Sequence, residues 1–341
     1  MGRAQTVGLA IASLTGILGG SVWLAILARG EGPDRAAAVL DSGETPFAEQ
    51  IADPHFDPSV PHPAYVTEHP KVAIDEAHRN FHRAEGTYKP LADLLRADGY
   101  EVGPNTAAFA ADVLQPFRVL VIAHALGDVV AETDTPRPAF TQAECDAVHD
   151  WVRDGGSLLL VADHAPFGGA AEIMGRAFDV QMGKGFVYSL DANYAEPGHP
   201  SDLIFSRENG LLGDHPIQLG RSGAERVNRI VAFTGQSLSV PPGATALMKL
   251  SPVARESPNR GAPQREREGT ERPRPPAGSA QGLALRVGKG RVVVLGEAAL
   301  LTAQVWRTHG GKEEKFGMNA QGNDDRQFAL NVLHWLTGLL S

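Results

Sequence analysis

Short apolar runs alternate with amphipathic stretches along the middle of the chain. The runs 71–75, 117–123 and 157–162 are each followed by a stretch with helical spacing, at 87–97, 140–152 and 168–178. Continuous apolar runs of this length are typical of strands that are buried on both faces of a parallel sheet. The alternation of strand and helix therefore predicts an α/β domain with a mostly parallel sheet.

The second half of the chain predicts further strands and a final helix. Apolar runs recur at 229–233 and 244–250, and the runs 283–287 and 291–295 flank a glycine-containing loop that is typical of a β-hairpin. Residues 324–339 carry apolar side chains on one broad helical face. Between these elements, residues 251–282 are rich in Pro, Arg, Glu and Gly, which predicts a disordered surface insertion in the domain.

The N-terminus predicts a membrane anchor. Residues 7–28 contain no charged side chain and are long enough to cross a bilayer as a helix. We therefore expect a signal anchor over 1–29, a flexible linker over 30–69 that is rich in Pro, Asp and His, and the α/β domain over 70–341. This places a single-pass protein in the cytoplasmic membrane, with its C-terminal domain outside the cytoplasm. The alternative is secretion after signal cleavage, although Ile26-Leu27-Ala28 is a poor cleavage site.

Charge and cysteine content exclude several classes of function. The formal net charge is −9 and the isoelectric point is near 5.7, which argues against a nucleic-acid partner because such proteins neutralise phosphates with basic surfaces. The single cysteine, Cys145, excludes an intrachain disulfide framework and a cysteine-rich zinc site. It lies in an amphipathic helical pattern, where a packed thiol is expected rather than a nucleophile.

Acids and histidines follow four of the predicted buried strands. The ends of parallel strands can bring such residues together, because ligands of open α/β sheets bind beyond the carboxyl ends. We predict one crevice whose titratable groups suit general acid–base or metal-assisted hydrolysis. The candidate catalytic residues are Asp75, Glu76, His78, Asp163, His164 and Glu297, with His82 and His124 as ligand-binding neighbours.

The same crevice predicts ligand and metal contacts. Gly168 and Gly169 follow Asp163-His164 near a predicted helix start, where free backbone N–H groups can approach an anion. Asn323 precedes the final helix and either caps it or faces a ligand. His, Asp and Glu side chains are preferred ligands of zinc, manganese and iron, so the crevice predicts a divalent metal site. The proposed metal ligands are Asp75, His78, Asp163 and His164.

A structural explanation competes with the functional one at every position. Asp and Asn after strands commonly cap the next helix or stabilise turns, and histidines near strand ends are often only hydrogen-bonded. Acids or histidines follow four predicted strands, and this recurrence favours a functional pocket.

Several segments resemble the class I glutamine-amidotransferase-like superfamily. These are residues 71–100, the strand that ends in Asp163-His164, residues 233–238 and residues 288–296. More narrowly, the chain is similar to the DUF4350 and gliding-motility ABC-transporter accessory group. The resemblance covers about residues 71–340 and implies a flavodoxin-like, three-layer fold. True amidotransferases place a cysteine after a strand, whereas Cys145 lies elsewhere here. The resemblance therefore implies a member without cysteine-dependent glutamine hydrolysis.

Two functions remain open from the sequence. The first is an exported hydrolase that acts on a polar cell-envelope or carbohydrate-like substrate, with or without a metal cofactor. The second, which the resemblance to members without the triad implies, is a non-catalytic, membrane-tethered domain that binds a small polar ligand, an envelope component or transporter subunits.

Overall fold

The structure, a computed structural model, describes residues 47–126, 137–308 and 311–341. The predicted anchor at 1–29 lies outside these residues, and none of the helices within them is long and apolar enough to cross a membrane. The described strands are β1 (Phe47–Ala52), β2 (Lys71–Asp75), β3 (Glu101–Asn105), β4 (Val119–Ala123), β5 (Ser157–Val161), β6 (Phe186–Tyr188), β7 (Ala195–Glu196), β8 (His199–Ser206), β9 (Arg229–Ala232), β10 (Thr245–Lys249), β11 (Arg255–Ser257), β12 (Ala280–Val287), β13 (Gly290–Leu295), β14 (Ala303–Thr308) and β15 (Glu313–Gly317). The α-helices are α1 (Lys89–Ala97), α2 (Ala111–Leu114), α3 (Gln142–Arg153), α4 (Phe167–Arg176), α5 (Pro216–Leu219), α6 (Ala262–Arg267) and α7 (Asp325–Thr337), and short 3₁₀ turns span Gly223–Glu225 and Ala299–Leu301.

A seven-stranded mixed sheet forms the centre of the molecule. Its strand order is β10-β12-β13-β5-β4-β2-β3. The neighbours from β13 through β3 pair in parallel, whereas β12 is antiparallel to both of its neighbours. The α/β class and the hairpin formed by β12 and β13 are thus as the sequence predicts.

Helices cover both faces of this sheet. Along β4 and β5, successive apolar side chains enter two different cores, because neighbouring residues of a strand point to opposite faces. One core includes Val121 and Leu159 together with α1 and α7, and the other includes Ile122 and Leu160 together with α3 and α4. The domain therefore has three layers.

A capping box begins α3, within the predicted helical stretch 140–152. Thr141 caps the helix by accepting a hydrogen bond from the Glu144 backbone N–H, and the Glu144 carboxylate accepts from the Thr141 backbone N–H. This reciprocal arrangement satisfies donors that the first helical turn leaves unpaired. It also fixes Glu144 beside the strand ends.

Residues 251–282, expected to be a disordered insertion, contain β11, α6 and the first residues of β12. The buried Glu256 carboxylate holds this segment by accepting hydrogen bonds from the Ser237 backbone N–H, the Ser237 hydroxyl and the Ala277 backbone N–H. The expectation was wrong because composition records the polar character of the segment but not this long-range buried partner.

The described part of the predicted flexible linker is also fixed to the domain. Strand β1 pairs antiparallel with β14, and residues 53–69, here called the N-terminal strap, continue across the surface. Asp53 accepts a hydrogen bond from Asn319 and forms an ion pair with Lys315. Further along, the Tyr65 hydroxyl donates to Thr337 at 2.7 Å. These partners lie more than two hundred residues away in sequence, so local composition does not reveal them.

Candidate functional site

The four predicted strand ends lie side by side. Asp75 ends β2, and His124, Asp163 and Glu297 closely follow β4, β5 and β13. These four strands are consecutive neighbours in the sheet and run parallel. The structure therefore places the acids and histidines along one edge of the sheet, where the sequence predicts a crevice.

The first of two groups on this edge is a carboxylate clamp around His78. The imidazole Nδ1 lies 2.8 Å from Asp75 Oδ2, and Nε2 lies 2.8 Å from Glu144 Oε1. Phe109 and Phe140 pack on the ring. Both ring nitrogens are thus bound by side chains of the protein itself.

Electrostatics favour a charged clamp. Burial alone would lower the pKa of His78, but hydrogen bonds and charge from Asp75 and Glu144 outweigh burial and raise it. The pKa of Glu144 is lowered to about 2, because its hydrogen bonds to Thr141 and His78 outweigh the effect of burial. The clamp joins the β2 loop to the first turn of α3, and we interpret it as a structural element.

The second group is a stack of four rings around His124. The His124 ring lies 3.9 Å from the Phe167 ring on one side and 4.4 Å from His82 on another, and His82 stacks on Tyr88 at 4.4 Å. The Nδ1 atom of His82 is 2.6 Å from the Thr87 hydroxyl oxygen. Burial and the neighbouring His124 lower the pKa of His82 well below its usual value, so this stack contains a neutral His82 at neutral pH.

His124 is unusual in two respects. Its backbone has a φ of 50°, a left-handed conformation that few residues other than glycine adopt. Its side chain is buried, yet neither ring nitrogen has a hydrogen-bond partner among the described residues. Asp163 Oδ2 lies 3.4 Å from Nε2, a close contact without the alignment of a hydrogen bond.

Asp163 and Glu297 are two buried carboxyl groups with opposite electrostatic surroundings. Burial would raise the pKa of Asp163, but the charges of the neighbouring His164 and His124 and the hydrogen bond from the His164 backbone N–H lower it. Burial and the charge of Asp163 raise the pKa of Glu297 well above its usual value. The Glu297 oxygens accept hydrogen bonds from the backbone N–H groups of Ala299 and Leu300. The pKa values of these two buried carboxyl groups are therefore shifted in opposite directions.

Residues that the sequence did not single out surround Glu297. Asp325, in the first turn of α7, is fully buried and its charge acts on Glu297. The amide atoms of buried Gln281 have no hydrogen-bond partner in the described structure. Thr234 has a φ of 147°, which is rare for a β-branched residue. None of these residues directly follows one of the parallel strands predicted at 71–75, 117–123 and 157–162. The pattern of acids and histidines after those strands therefore could not reveal them.

Of the remaining predicted residues, one lies at the edge of the site and two make local structural contacts. His164 lies beside Asp163 and is the more exposed of the two, at 16% against 8% for the side chains. Glu76 accepts a hydrogen bond from the Ala84 backbone N–H and closes the β2 loop. Asn323 accepts from the Asp325 backbone N–H and donates to the Gly317 carbonyl, which are turn contacts.

The two glycines do not form an open cradle for an anion. A Cβ atom on Gly168 would lie 2.2 Å from Gln236 Oε1, so the Gln236 side chain already occupies the space beside this glycine. Gln236 donates to the carbonyl groups of Ala162 and Asp163 and accepts from the Lys184 backbone N–H. Gly169 donates its N–H to the Pro166 carbonyl. Gly168 therefore permits close packing of a side chain.

The structure does not bring the four predicted metal ligands together. Asp75 and His78 face each other and Glu144, whereas Asp163 and His164 lie beside His124. In the described part of the chain, no three His, Cys, Asp or Glu side chains are placed to hold a metal ion. Cys145 is buried in α3, and burial together with Glu144 and Asp146 raises the pKa of its thiol to about 12, which does not suit a thiolate nucleophile.

Comparison with known proteins supports the fold and leaves the activity open. Neither a protein-family model nor a curated protein matches the sequence. Among solved structures, the N-terminal domain of mmIFT52 is similar with a TM-score of 0.53 and 14% identity, over 79% of this chain and 97% of that one. At this identity the similarity shows a shared fold only.

Two further solved structures have lower TM-scores. A protein described as ThuA-like, from Bacteroides uniformis, has a TM-score of 0.38 and 12% identity over 81% of this chain and 95% of its own. A protein described as one of the subunits of a GMP synthase, from Thermoplasma acidophilum, has a TM-score of 0.38 and 10% identity over 79% of this chain and 97% of its own. Membership of the narrower DUF4350 and gliding-motility group stays a prediction from the sequence.

Proposed function

We propose that this chain is a membrane-tethered domain that binds a small polar ligand at the strand-end site, in the manner of a non-catalytic or transporter-accessory domain. The observation that carries the proposal is His124, a buried imidazole without a hydrogen-bond partner among the described residues. Leaving a buried polar group unpaired costs about 1–3 kcal/mol. A ligand that pairs with the ring would remove that cost. The tether is residues 7–28, which lie outside the described residues.

Backbone strain at the same edge supports a binding role. His124 and Thr234 both adopt backbone conformations that are costly for residues with a side chain. Such residues cluster at ligand-binding and active sites, where the surrounding structure maintains them. His124 follows β4 and its Nε2 lies 3.4 Å from Asp163 Oδ2, and Thr234 follows β9 two residues before Gln236, whose side chain donates to the Asp163 carbonyl.

A closed site favours binding of a small ligand over turnover of a polymer. The side chains of Asp163 and His124 are 8% and 6% exposed, and Glu297 is fully buried. No exposed nucleophile of the cysteine type is available, because Cys145 is buried in α3.

The test compares His124→Asn with His149→Asn. Asparagine tolerates left-handed backbone better than most residues, so the first variant removes the imidazole with little added strain. His149 lies on α3 with a side chain that is 37% exposed, and it serves as the control. We expect calorimetric titration with a panel of monosaccharides, disaccharides and amino acids to identify a ligand, and affinity to fall about tenfold in His124→Asn only. Equal affinity in both variants would refute the proposal.

A second candidate function, acid–base hydrolysis, is favoured by the paired carboxyl groups. Asp163 has a lowered pKa and Glu297 a raised one. Pairs whose surroundings separate their pKa values in this way are suited to act as base and acid. Asp163 would accept a proton from water as the water attacks, and Glu297 would protonate the leaving group.

The hydrolase candidate predicts turnover that depends on Asp163. With nitrophenyl glycosides and nitrophenyl esters as substrates, we expect Asp163→Asn to lower the rate by a factor of about 10² to 10⁴. Binding of any ligand found by calorimetric titration of the wild type should be measured in the same variant. Wild-type turnover no greater than that of Asp163→Asn would remove this candidate and leave the binding proposal intact.

A further inference from the structure

Strand β12 brings a further polar side chain to the strand-end edge. It runs antiparallel to β13 and therefore begins at the edge where β13 ends. Gln281 is its second residue, and the Gln281 carbonyl accepts a hydrogen bond from the Gly296 backbone N–H at 2.8 Å. The edge that carries Asp163 and Glu297 thus continues to Gln281.

Close contacts join the Gln281 side chain to the rest of the site. A Cβ atom on Gly235 would lie 2.6 Å from Gln281 Nε2 and 3.0 Å from Glu297 Cβ, so these three residues meet at one corner. The next residue, Gln236, donates to the Asp163 carbonyl. The corner is therefore continuous with the carboxyl group that lies beside the unpaired imidazole.

The Gln281 amide has no partner within the fold. Its side chain is fully buried, and neither Oε1 nor Nε2 has a hydrogen-bond partner among the described residues. A primary amide offers an acceptor and two donors, and leaving these groups buried and unpaired is costly. An apolar side chain of similar size would avoid this cost. The adjoining Thr234 is only partly buried, so this corner borders the solvent.

We infer that Gln281 is a second ligand-binding side chain of the strand-end site and that it recognises a cis amide. This inference rests on the proposed ligand-binding function and specifies its ligand class. A cis amide is planar and presents a C=O and an N–H on one edge, so it can accept from Gln281 Nε2 and donate to Oε1 at the same time. Lactams, hydantoins and pyrimidines contain this group. A trans peptide bond does not, because its C=O and N–H point in opposite directions.

Charged ligands pair with the Gln281 amide only in part. A carboxylate has no donor for Oε1, and an ammonium ion has no acceptor for Nε2. Either ion would also carry a charge into a buried corner, which is costly without a paired countercharge. A neutral cis amide satisfies both amide atoms and brings no charge.

The experiment titrates cis amides into the full chain by calorimetry. The probes are pyrrolidinone, hydantoin and uracil. The fully N-methylated form of each probe is its matched control, because it keeps the ring but has no N–H donor. We expect at least one probe to bind, and its N-methylated form to bind at least about tenfold more weakly.

Gln281→Leu separates a ligand-binding amide from a structural one. Leucine has a similar volume and no polar atoms, so we expect an unchanged or higher melting temperature together with about tenfold weaker binding of the cis amide. Gln218→Leu is the matched control, because Gln218 is also fully buried but its Nε2 donates to the Leu247 carbonyl. It should lower the melting temperature and keep the affinity of the wild type.

The outcomes separate this inference from the proposed function. A fall in melting temperature as large in Gln281→Leu as in Gln218→Leu would identify a structural amide and overturn the inference, as would equal binding of a probe and its N-methylated form. If saccharides or amino acids bind and depend on His124 but no cis amide binds, the inference is overturned while the proposed function stands. If a cis amide binds and depends on Gln281 but not on His124, the inference stands and the proposed role of His124 fails. If nothing binds to the wild type, both are overturned.

Discussion

His78 and His124 follow neighbouring strands but differ in how their ring nitrogens are paired. Both nitrogens of His78 contact carboxylates at 2.8 Å, whereas those of His124 have no hydrogen-bond partner in the described part of the chain. A fully paired buried group supports the fold, and an unpaired one is costly unless something else binds it. Two histidines that look equivalent in the sequence therefore have different roles: His78 stabilises the β2 loop, and His124 is available to a ligand.

The clamp predicts a pH-dependent stability effect of His78→Gln. The pKa of His78 in the folded chain lies above its usual value of 6.5, so its charged contacts stabilise the fold fully below pH 6.5 and are lost as the pH rises through the folded-state pKa. Glu144 is ionised throughout this range because its pKa is about 2. We expect His78→Gln to lower the free energy of unfolding by about 1.5–3 kcal/mol at acidic pH and by less at alkaline pH.

Urea unfolding at about pH 5.5 and about pH 9 measures this difference. His149→Gln, which changes a partly exposed histidine on α3, should show no such pH dependence. A His78→Gln effect of equal size at both pH values would mean that the clamp is held by neutral hydrogen bonds alone.

At the scale of elements, a single buried carboxylate organises the segment with β11 and α6. Glu256 accepts three hydrogen bonds, two from Ser237 and one from the Ala277 backbone N–H. Gly183 and Gly185 leave room for it, since a Cβ atom on either would lie within 2.6 Å of the Glu256 side chain.

Glu256→Ala should release this segment. Removing the carboxylate leaves buried donors unpaired, which costs about 1–3 kcal/mol for each group. We expect a lower melting temperature and faster proteolysis between residues 258 and 277. Glu268→Ala is the matched control, because Glu268 is an exposed glutamate in the same segment and its side chain contacts Gln264. Proteolysis at the same rate in both variants would show that other contacts hold the segment.

The sequence predicted the elements that depend on local pattern and missed those that depend on distant partners. Buried strands such as β4 and β5 have continuous apolar runs, and the Thr141–Glu144 capping box is visible within four residues. The alignment of Asp163 with Glu297 followed from parallel strands that end at one edge. By contrast, nothing near Gly168 in the sequence shows that Gln236 fills the space beside it.

At the scale of the whole molecule, one buried histidine–aspartate contact joins three separate parts of the chain. His334 Nε2 on α7 lies 2.7 Å from Asp98 Oδ2 at the end of α1, and both side chains are almost fully buried. The other Asp98 oxygen accepts a hydrogen bond from the Ala64 backbone N–H of the N-terminal strap. The strap and α7 therefore both bind the carboxylate of Asp98, at the end of α1.

Asp98→Ala should loosen all three parts together. Removing the carboxylate leaves buried polar partners unpaired, which costs about 1–3 kcal/mol for each group. We expect hydrogen exchange to accelerate at the strap amides around Ala64 as well as in α7, since both lose the same partner. Asp93→Ala on α1 removes a partly exposed aspartate that pairs with Lys89 and Arg96, and its cost should stay below about 1 kcal/mol. If exchange in Asp98→Ala accelerates in α7 but not around Ala64, the strap is held independently of the pair.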